Sequence, residues 1–146
     1  MQIIIKHFNE LSVNDLFEIY KLRQEIFIVE QNCPYNDIDE ADKVSFHIMV
    51  KENNSLVAYS RAIPQNVTYN EASIGRVISK IRRKGYASLA VENAINVACN
   101  VFHAKKIKIG AQVYAKTLYE KFGFKQVSDI YLEDNIPHIH MMLDLN

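Results

Sequence analysis

Residues 74–124 hold two short motifs that decide the fold, within the stretch IGRVISKIRRKGYASLAVENAINVACNVFHAKKIKIGAQVYAKTLYEKFGF. The first motif, RRKGYA at 82–87, lies between an extended apolar segment at 74–78 and a predicted helix at 87–102. Gly85 permits a tight turn with exposed backbone, and the first amides of the following helix have no intrahelical acceptor. Because the helix dipole adds partial positive charge at the same point, this junction is predicted to bind phosphate.

The second motif, AKTLYEKFGF at 115–124, follows a predicted strand at 106–110. Its position places the phenol of Tyr119 on a short helix beside the predicted anion site. A phenol can donate a proton to a reacting group. The two motifs together therefore predict one site that holds an anionic ligand and supplies a proton.

The composition indicates one globular domain that spans residues 1–146, with 49% hydrophobic and 23% charged residues. Lysine and arginine (17) balance aspartate and glutamate (17), so no net field favours nucleic acid or an anionic membrane. The sequence has no signal-peptide pattern and no apolar run of roughly 20 residues, which predicts a cytoplasmic protein. Cys33 and Cys99 form no CxxC pair, so neither a disulfide framework nor a zinc site is expected.

The remaining sequence predicts short alternating elements. Ser12 opens a first helix, with Asp15 in the position of a capping box, and Asn53-Asn54 indicates a hairpin turn. The element order β-α-β-β-β-α-β-α-β-β predicts an α/β chain of mixed α+β type, with a central mixed β-sheet and helices on both faces. The predicted strands are 3–6, 45–51, 56–62, 72–79, 106–110, 125–130 and 139–143, and a polar loop is predicted at 30–43.

These motifs resemble a known family. RRKGYA fits the [Q/R]-x-x-G-x-[G/A] acetyl-CoA motif of the GNAT superfamily of N-acetyltransferases, and AKTLYEKFGF resembles the A-x-x-x-Y-x-x-x-G-F segment that follows it there. The segments LRQEIFIVEQNCPYNDID and DNIPHIHMML are similar to the two ends of the ElaA-like subgroup. The resemblance covers about residues 16–143 and implies the GNAT acyl-CoA N-acyltransferase fold.

The resemblance implies a binding site for acetyl-CoA as cosubstrate. Backbone amides at 83–87 would cradle the pyrophosphate, the strand that ends near Ile78 would flank the pantetheine, and Tyr119 would protonate the departing thiolate. The connection from Ile78 to Arg82 is shorter than the usual family spacing, which leaves open the backbone group that polarises the acetyl carbonyl. The implied cofactor-binding residues are Val77, Ile78, Arg82, Arg83, Lys84, Gly85, Tyr86, Ala87, Gln112 and Tyr119.

The attacking amine must lose a proton, so a general base is expected, and three residues are candidates for it. Glu30 follows the first helix in a region that the family uses for acceptor binding, and it joins Tyr119 as a predicted catalytic residue. Glu71 precedes the strand that borders the acetyl group, and His47 lies in an apolar strand. Each also has a structural explanation: a solvated helix end for Glu30, loop surface for Glu71 and a core histidine for His47.

Three other patterns carry weaker interpretations. The acidic run at 37–42 is a solvated loop or attracts a cationic amine. His138 and His140 share a strand face, but with no third ligand at a telling spacing no metal site is predicted. Tyr114, Leu118 and Phe122 are predicted as a core stripe.

The sequence thus predicts an acetyl-CoA-dependent N-acetyltransferase that acts by direct attack of a primary amine. The acceptor is a small-molecule or protein amine that the sequence does not identify. No nucleic-acid or membrane partner is expected, and a homodimer is compatible with the resemblance. The alternative is a catalytically silent acyl-CoA-binding module that senses the cofactor. A nucleotide-binding regulatory domain is disfavoured, because the loop lacks the Lys-Ser/Thr ending of a P-loop.

Overall fold

Two four-stranded sheets form the centre of the protein in a computed structural model, which describes residues 1–82 and 84–145. The first sheet is antiparallel throughout. In spatial order it contains β1 (Gln2–His7), β2 (Phe46–Glu52), β3 (Ser55–Ile63) and β4 (Ser73–Ser79).

The second sheet is built around the long C-terminal strand. It contains β5 (Lys106–Gln112), β6 (Lys125–Gln126), β7 (Tyr131–Glu133) and β8 (Ile136–Asp144), and β8 pairs antiparallel with the other three. A parallel bridge between Ala72 and Ile107 joins the two sheets, and the Lys108 amide donates to the Ala72 carbonyl at 2.9 Å. The predicted central sheet is therefore mixed, but it is divided into two halves.

Helices cover both faces of the first sheet, as predicted. On one face α1 (Val13–Arg23) packs Ile19 against Met49 and Tyr59. On the other face α2 (Tyr86–Asn100) packs Val91 and Ala94 in the cluster that contains Ile48. Ile48 and Met49 are successive residues of β2 that point to opposite faces, so each face has its own buried core.

The local start and turn signals of the sequence are confirmed. The Ser12 hydroxyl accepts from the Asp15 amide, and the Asp15 carboxylate accepts from the Ser12 amide, each at 3.0 Å. Asn53 and Asn54 adopt φ values of +50° and +63° between β2 and β3. Both positive values are what a two-residue hairpin turn of the primed type requires.

Four differences separate the predicted elements from the observed ones. A π-helical turn, Gln24–Glu30, continues α1, and a 3₁₀ helix, Glu40–Val44, occupies the end of the predicted loop. The short helix predicted to carry Tyr119 is preceded by a 3₁₀ turn, Val113–Ala115, and is itself α3 (Lys116–Glu120). The strand β7 was missed because it is only three residues long. Its partner β8 follows directly after a turn at Asp134 and Asn135, which both have positive φ.

The first interpretation of the acidic run at 37–42, a solvated loop, is wrong for Asp37 and Asp42. Asp37 and Asp42 are buried, and both bind the fully buried guanidinium of Arg23, at 2.9 Å and 2.7 Å respectively. Asp42 also accepts from Arg61 at 2.9 Å. Asp37 and Asp42 therefore belong to a buried structural ion network, whereas Glu40 is exposed.

Acidification is expected to destabilise the protein through this network. Burial alone would raise the pKa of Asp42, but the hydrogen bond from Arg23 and the charges of Arg23 and Arg61 outweigh it and lower that pKa below the usual 3.8. As the pH falls, Asp42 is therefore protonated in the unfolded chain before it is protonated in the folded protein. The stabilisation by Asp42 is complete above pH 3.8 and is lost as the pH falls through the lowered pKa. Urea unfolding between about pH 5 and pH 3 measures this loss. A free energy of unfolding that stays constant over this range would contradict the network.

Within the described residues, no helix is both long enough and apolar enough to cross a membrane.

Candidate active site

A cleft opens between the two sheets where β4 and β5 separate beyond the Ala72–Ile107 bridge. The separation coincides with an irregularity in β4: the register against β3 shifts between Tyr59 and Arg61, and Arg76 has φ of +52°. A bulge of this kind bends a strand and interrupts its pairing. The bulge thus leaves backbone and side chains of β4 facing open space.

The larger of two adjoining cavities in this cleft has a volume of about 720 Å³. It extends from the π-helical turn to the start of α2 and to α3, so it borders all the elements that the two sequence motifs supply. The predicted cofactor residues in its wall are Val77, Ile78, Arg82, Ala87, Gln112 and Tyr119.

The junction before α2 that is predicted to bind phosphate lies at one end of the larger cavity, and its residues Arg82 and Ala87 line the cavity wall. Gly85 is the residue before α2 and adopts φ of +75°, a conformation that side chains disfavour. A Cβ at Gly85 would meet no atom within 4 Å, so the backbone there is open to a ligand. Lys84 is exposed beside it and Tyr86 begins the helix, whereas Arg83 lies outside the described residues.

The smaller cavity has a volume of about 140 Å³ and lies on the other side of the same wall. Gln31, Gln112, Tyr114 and Tyr119 line both cavities, so the two spaces meet at these side chains. The Gln112 amide group donates to the Gln31 side-chain oxygen at 3.5 Å and links β5 to the end of the π-helical turn. Polar groups specific to the smaller cavity are Cys33, Tyr35, Arg76, Glu133, Asp134 and His138.

Tyr119 lies between the cavities with its ring only 7% exposed. The ring packs edge-on against Phe124, the last residue of the second motif, with 5.6 Å between ring centroids. Burial, and secondarily the nearby Tyr114, raise the pKa of the Tyr119 phenol above its usual value. The phenol therefore stays protonated at neutral pH and can act as a proton donor.

The comparisons with known proteins agree with this geometry. A family model, Acetyltransferase (GNAT) domain, matches residues 18–145. The chain belongs to the GNAT acetyltransferase family. The match confirms the resemblance that the two motifs predicted.

Relatives of this GNAT domain include ElaA of Escherichia coli, which is 37% identical over 139 residues, covering 92% of this chain and 91% of that protein. A UPF0039 protein of Schizosaccharomyces pombe is 40% identical over 149 residues, covering 99% and 98%. Among solved structures, an acyl-CoA N-acyltransferase from Pseudomonas aeruginosa superposes with a TM-score of 0.90 and 32% identity, covering 97% of this chain and 99% of that one. The crystal structure of E. coli ElaA gives a TM-score of 0.89 with 34% identity, covering 97% of each chain. The GNAT acyltransferase fold and the ElaA-like subgroup are thus both confirmed.

The three candidates for the base lie in different places within this GNAT fold. Glu30 is exposed at the end of the π-helical turn and lines the larger cavity. Glu71 lines neither cavity. His47 is fully buried, and its two ring nitrogens contact the Tyr59 hydroxyl at 2.6 Å and the Asp42 carbonyl at 2.9 Å. Burial also lowers the pKa of His47, so this residue belongs to the core.

Most polar residues of the smaller cavity were not predicted as site residues from the sequence, and Tyr114 and Arg76 are the clearest examples. Tyr114 is 78% exposed and lines both cavities, so its predicted place in a core stripe was wrong. Arg76 lines the smaller cavity while its guanidinium binds the Asp37 carboxylate at 2.8 Å. The bulge in β4 brings Arg76 to the cleft, and nothing in the local sequence pattern marks this bulge.

Proposed function

We propose that this GNAT protein is an acetyl-CoA-dependent N-acetyltransferase, which transfers the acetyl group directly to a primary amine of a small molecule or protein. The observation that carries the proposal is the meeting of two cavities at Gln112 and Tyr119. A donor in the larger cavity and an amine in the smaller one would be adjacent to the same phenol. Adjacent, oriented reactants are the main requirement for direct acyl transfer.

The larger cavity fits the donor. Arg82 lines one end of this cavity, and close to it along the chain lie the exposed Lys84, the open backbone at Gly85 and the start of α2, a combination that suits a pyrophosphate. Its other end reaches Tyr119 past Val77 and Ile78. Acetyl-CoA would supply the activated acetyl thioester, and this chain would hold it and protonate its leaving sulfur.

Loss of the phosphate cradle is expected in Gly85→Val. In wild type, CoA at about 100 times its Kd should stabilise the fold by about 2.7 kcal/mol, which appears as a rise in melting temperature. Valine disfavours positive φ and would place methyl groups where the pyrophosphate approaches, so the CoA-induced rise should disappear. Thermal unfolding with and without CoA measures it.

Gly123→Ala is the matched control, because Gly123 also has positive φ (+97°) but lies against Leu143 and not before the start of α2. It should lower the melting temperature, since its Cβ would lie 3.2 Å from Leu143, and yet keep the rise with CoA. A wild-type CoA response in Gly85→Val would show that the cradle is assigned to the wrong residues.

The smaller cavity suits the end of the acceptor. A volume of about 140 Å³ accommodates a group of roughly the size of benzene, which corresponds to a short amine-bearing arm. The carboxylates of Glu133 and Asp134 in its wall favour a positively charged end. The rest of the acceptor would remain outside the cavity, in keeping with either a small molecule or a protein side chain.

The proposal is tested by CoA release from acetyl-CoA in the presence of a panel of primary amines, with mass spectrometry of the products. We expect amine-dependent release and an acetylated amine. Initial rates should give intersecting rather than parallel lines, because both substrates must be bound before direct transfer. Saturable CoA binding without acetylation of any amine would instead support the alternative, a silent acyl-CoA-binding module.

A further inference from the structure

His138 lines the smaller cavity, and nothing above assigns it a role. It lies on β8 directly opposite Gln112 of β5, so it is next to the point where the two cavities meet. We propose that His138 accepts the proton of the acceptor amine and that Glu133 is the positioning residue that stabilises its charged form. This inference rests on the proposed function and names the base of that reaction.

The hydrogen bonds of the ring fix which nitrogen is available. Nδ1 of His138 lies 2.7 Å from the Ile136 carbonyl oxygen. A carbonyl only accepts, so Nδ1 must carry the hydrogen and donate it. In the neutral ring Nε2 therefore has the free lone pair and can accept a proton. This is the arrangement that a histidine base requires.

Two residues of β7 contact the His138 side chain: one stacks on the ring, and the other places a negative charge near Nε2. Tyr131 stacks on His138 with 5.8 Å between ring centroids and an interplanar angle of 25°. The Glu133 carboxylate lies 3.6 Å from Nε2, beyond a strong hydrogen bond but within Coulombic reach. The carboxylate thus makes no strong hydrogen bond to Nε2, and in the proposed step it lies close enough to compensate the charge of the imidazolium.

The location also separates His138 from Glu30, one of the three candidate bases from the sequence. Glu30 lines the larger cavity and not the smaller one, so it lies on the donor side. His138 lines the smaller cavity, together with Tyr119. An amine in the smaller cavity would therefore lie in a space that both His138 and Tyr119 line.

In the proposed reaction, His138 and Tyr119 each transfer one proton. The Nε2 lone pair of His138 takes one proton from the ammonium, and the freed nitrogen lone pair forms a C–N bond at the thioester carbonyl carbon. The C–S bond breaks, and the sulfur takes the phenolic proton of Tyr119. Tyr119 regains its proton from the nitrogen, which still carries one in excess. His138 releases its proton to solvent, so the products are an amide, a thiol and one proton.

Other ionisable groups surround His138, and their charges act on the same step. The opposite wall contributes the Arg76 cation, whose charge is balanced by Asp37 at 2.8 Å. Asp134 follows Glu133 in the turn and adds negative charge on the same side as Glu133. The remaining titratable neighbours are Cys33, Tyr35, Tyr114, Tyr119, Tyr131 and His140.

His138→Asn is the decisive variant, because the asparagine amide can still donate to the Ile136 carbonyl while Nε2 is lost. We expect kcat to fall roughly 10²-fold near neutral pH, with the KM for acetyl-CoA unchanged, since a positioned base contributes at least this much. The rate of the variant should rise tenfold per pH unit, because only amine that solvent has deprotonated can react. Added imidazole should restore part of the rate.

The matched control is His140→Asn, two residues along the same strand and outside both cavities. It should keep the wild-type kcat and pH profile. A readout independent of turnover is the ¹⁵N spectrum of the histidines with CoA and an accepted amine, a mixture that holds no acetyl group. The Nε2 resonance of His138 should shift on amine addition, and the resonances of His140 should shift less.

A wild-type kcat and pH profile in His138→Asn would overturn the role of His138 and leave the acetyltransferase proposal intact. No change in the His138 resonance at saturating amine would overturn it as well. If wild-type protein acetylates no amine of the panel, both the proposed function and this inference fall together.

Discussion

Asp42→Asn is expected to lower the free energy of unfolding by about 3–5 kcal/mol, the usual cost of removing one partner from a buried ion pair. Asp42 is 1% exposed and bonds two arginines that are themselves buried, Arg23 and Arg61. Asparagine has nearly the same shape but no charge, so it leaves positive charge without compensation in the core. Urea unfolding of the variant and of wild type at neutral pH measures the difference.

The control is Glu40→Gln, a change of the same kind two residues away in the same 3₁₀ helix. The Glu40 side chain is 89% exposed and, among the residues that the structure describes, pairs with Lys43 alone, so the unfolding midpoint should stay unchanged. Equal midpoints for Asp42→Asn and wild type would mean that the ion network is not a major source of stability.

Tyr119→Phe should reduce kcat by roughly 10²-fold, at the low end of what general-acid catalysis contributes. The change removes one hydroxyl and keeps the ring, which packs against Phe124. The CoA-induced rise in melting temperature should therefore persist while turnover falls. Steady-state kinetics with an accepted amine, together with thermal unfolding in the presence of CoA, separates the two effects.

Tyr69→Phe is the matched control, because Tyr69 is half-buried and lines neither cavity, and its kcat should equal that of wild type. Unchanged turnover in Tyr119→Phe, with chemistry shown to be rate-limiting, would make Tyr119 a packing residue. A loss of CoA affinity alone would make it a binding group instead.

Local sequence signals predicted the parts of the fold that depend on neighbouring residues. The capping box at Ser12, the hairpin at Asn53-Asn54 and the glycine turn at Gly85 each involve groups within a few positions along the chain. Such features follow from backbone preferences and nearby hydrogen bonds. The family resemblance then predicted how these elements assemble.

Features that depend on distant residues could not be predicted in this way. Arg23 finds its partners Asp37 and Asp42 14 and 19 positions later, so the acidic run looked like a solvated loop. His138 shares the smaller cavity with Gln31 only because β8 pairs with β5 next to the cleft. In both cases charge and chemistry were visible in the sequence, but the partner was set by the tertiary fold.

A crystal structure of the protein with CoA tests the central claim most directly. We expect the pyrophosphate to bind the backbone amides around Gly85 and the thiol sulfur to lie within hydrogen-bonding distance of the Tyr119 hydroxyl, at the opening into the smaller cavity. CoA bound outside the cleft, or bound in it with the sulfur directed away from both Tyr119 and the smaller cavity, would contradict the proposed acetyl transfer.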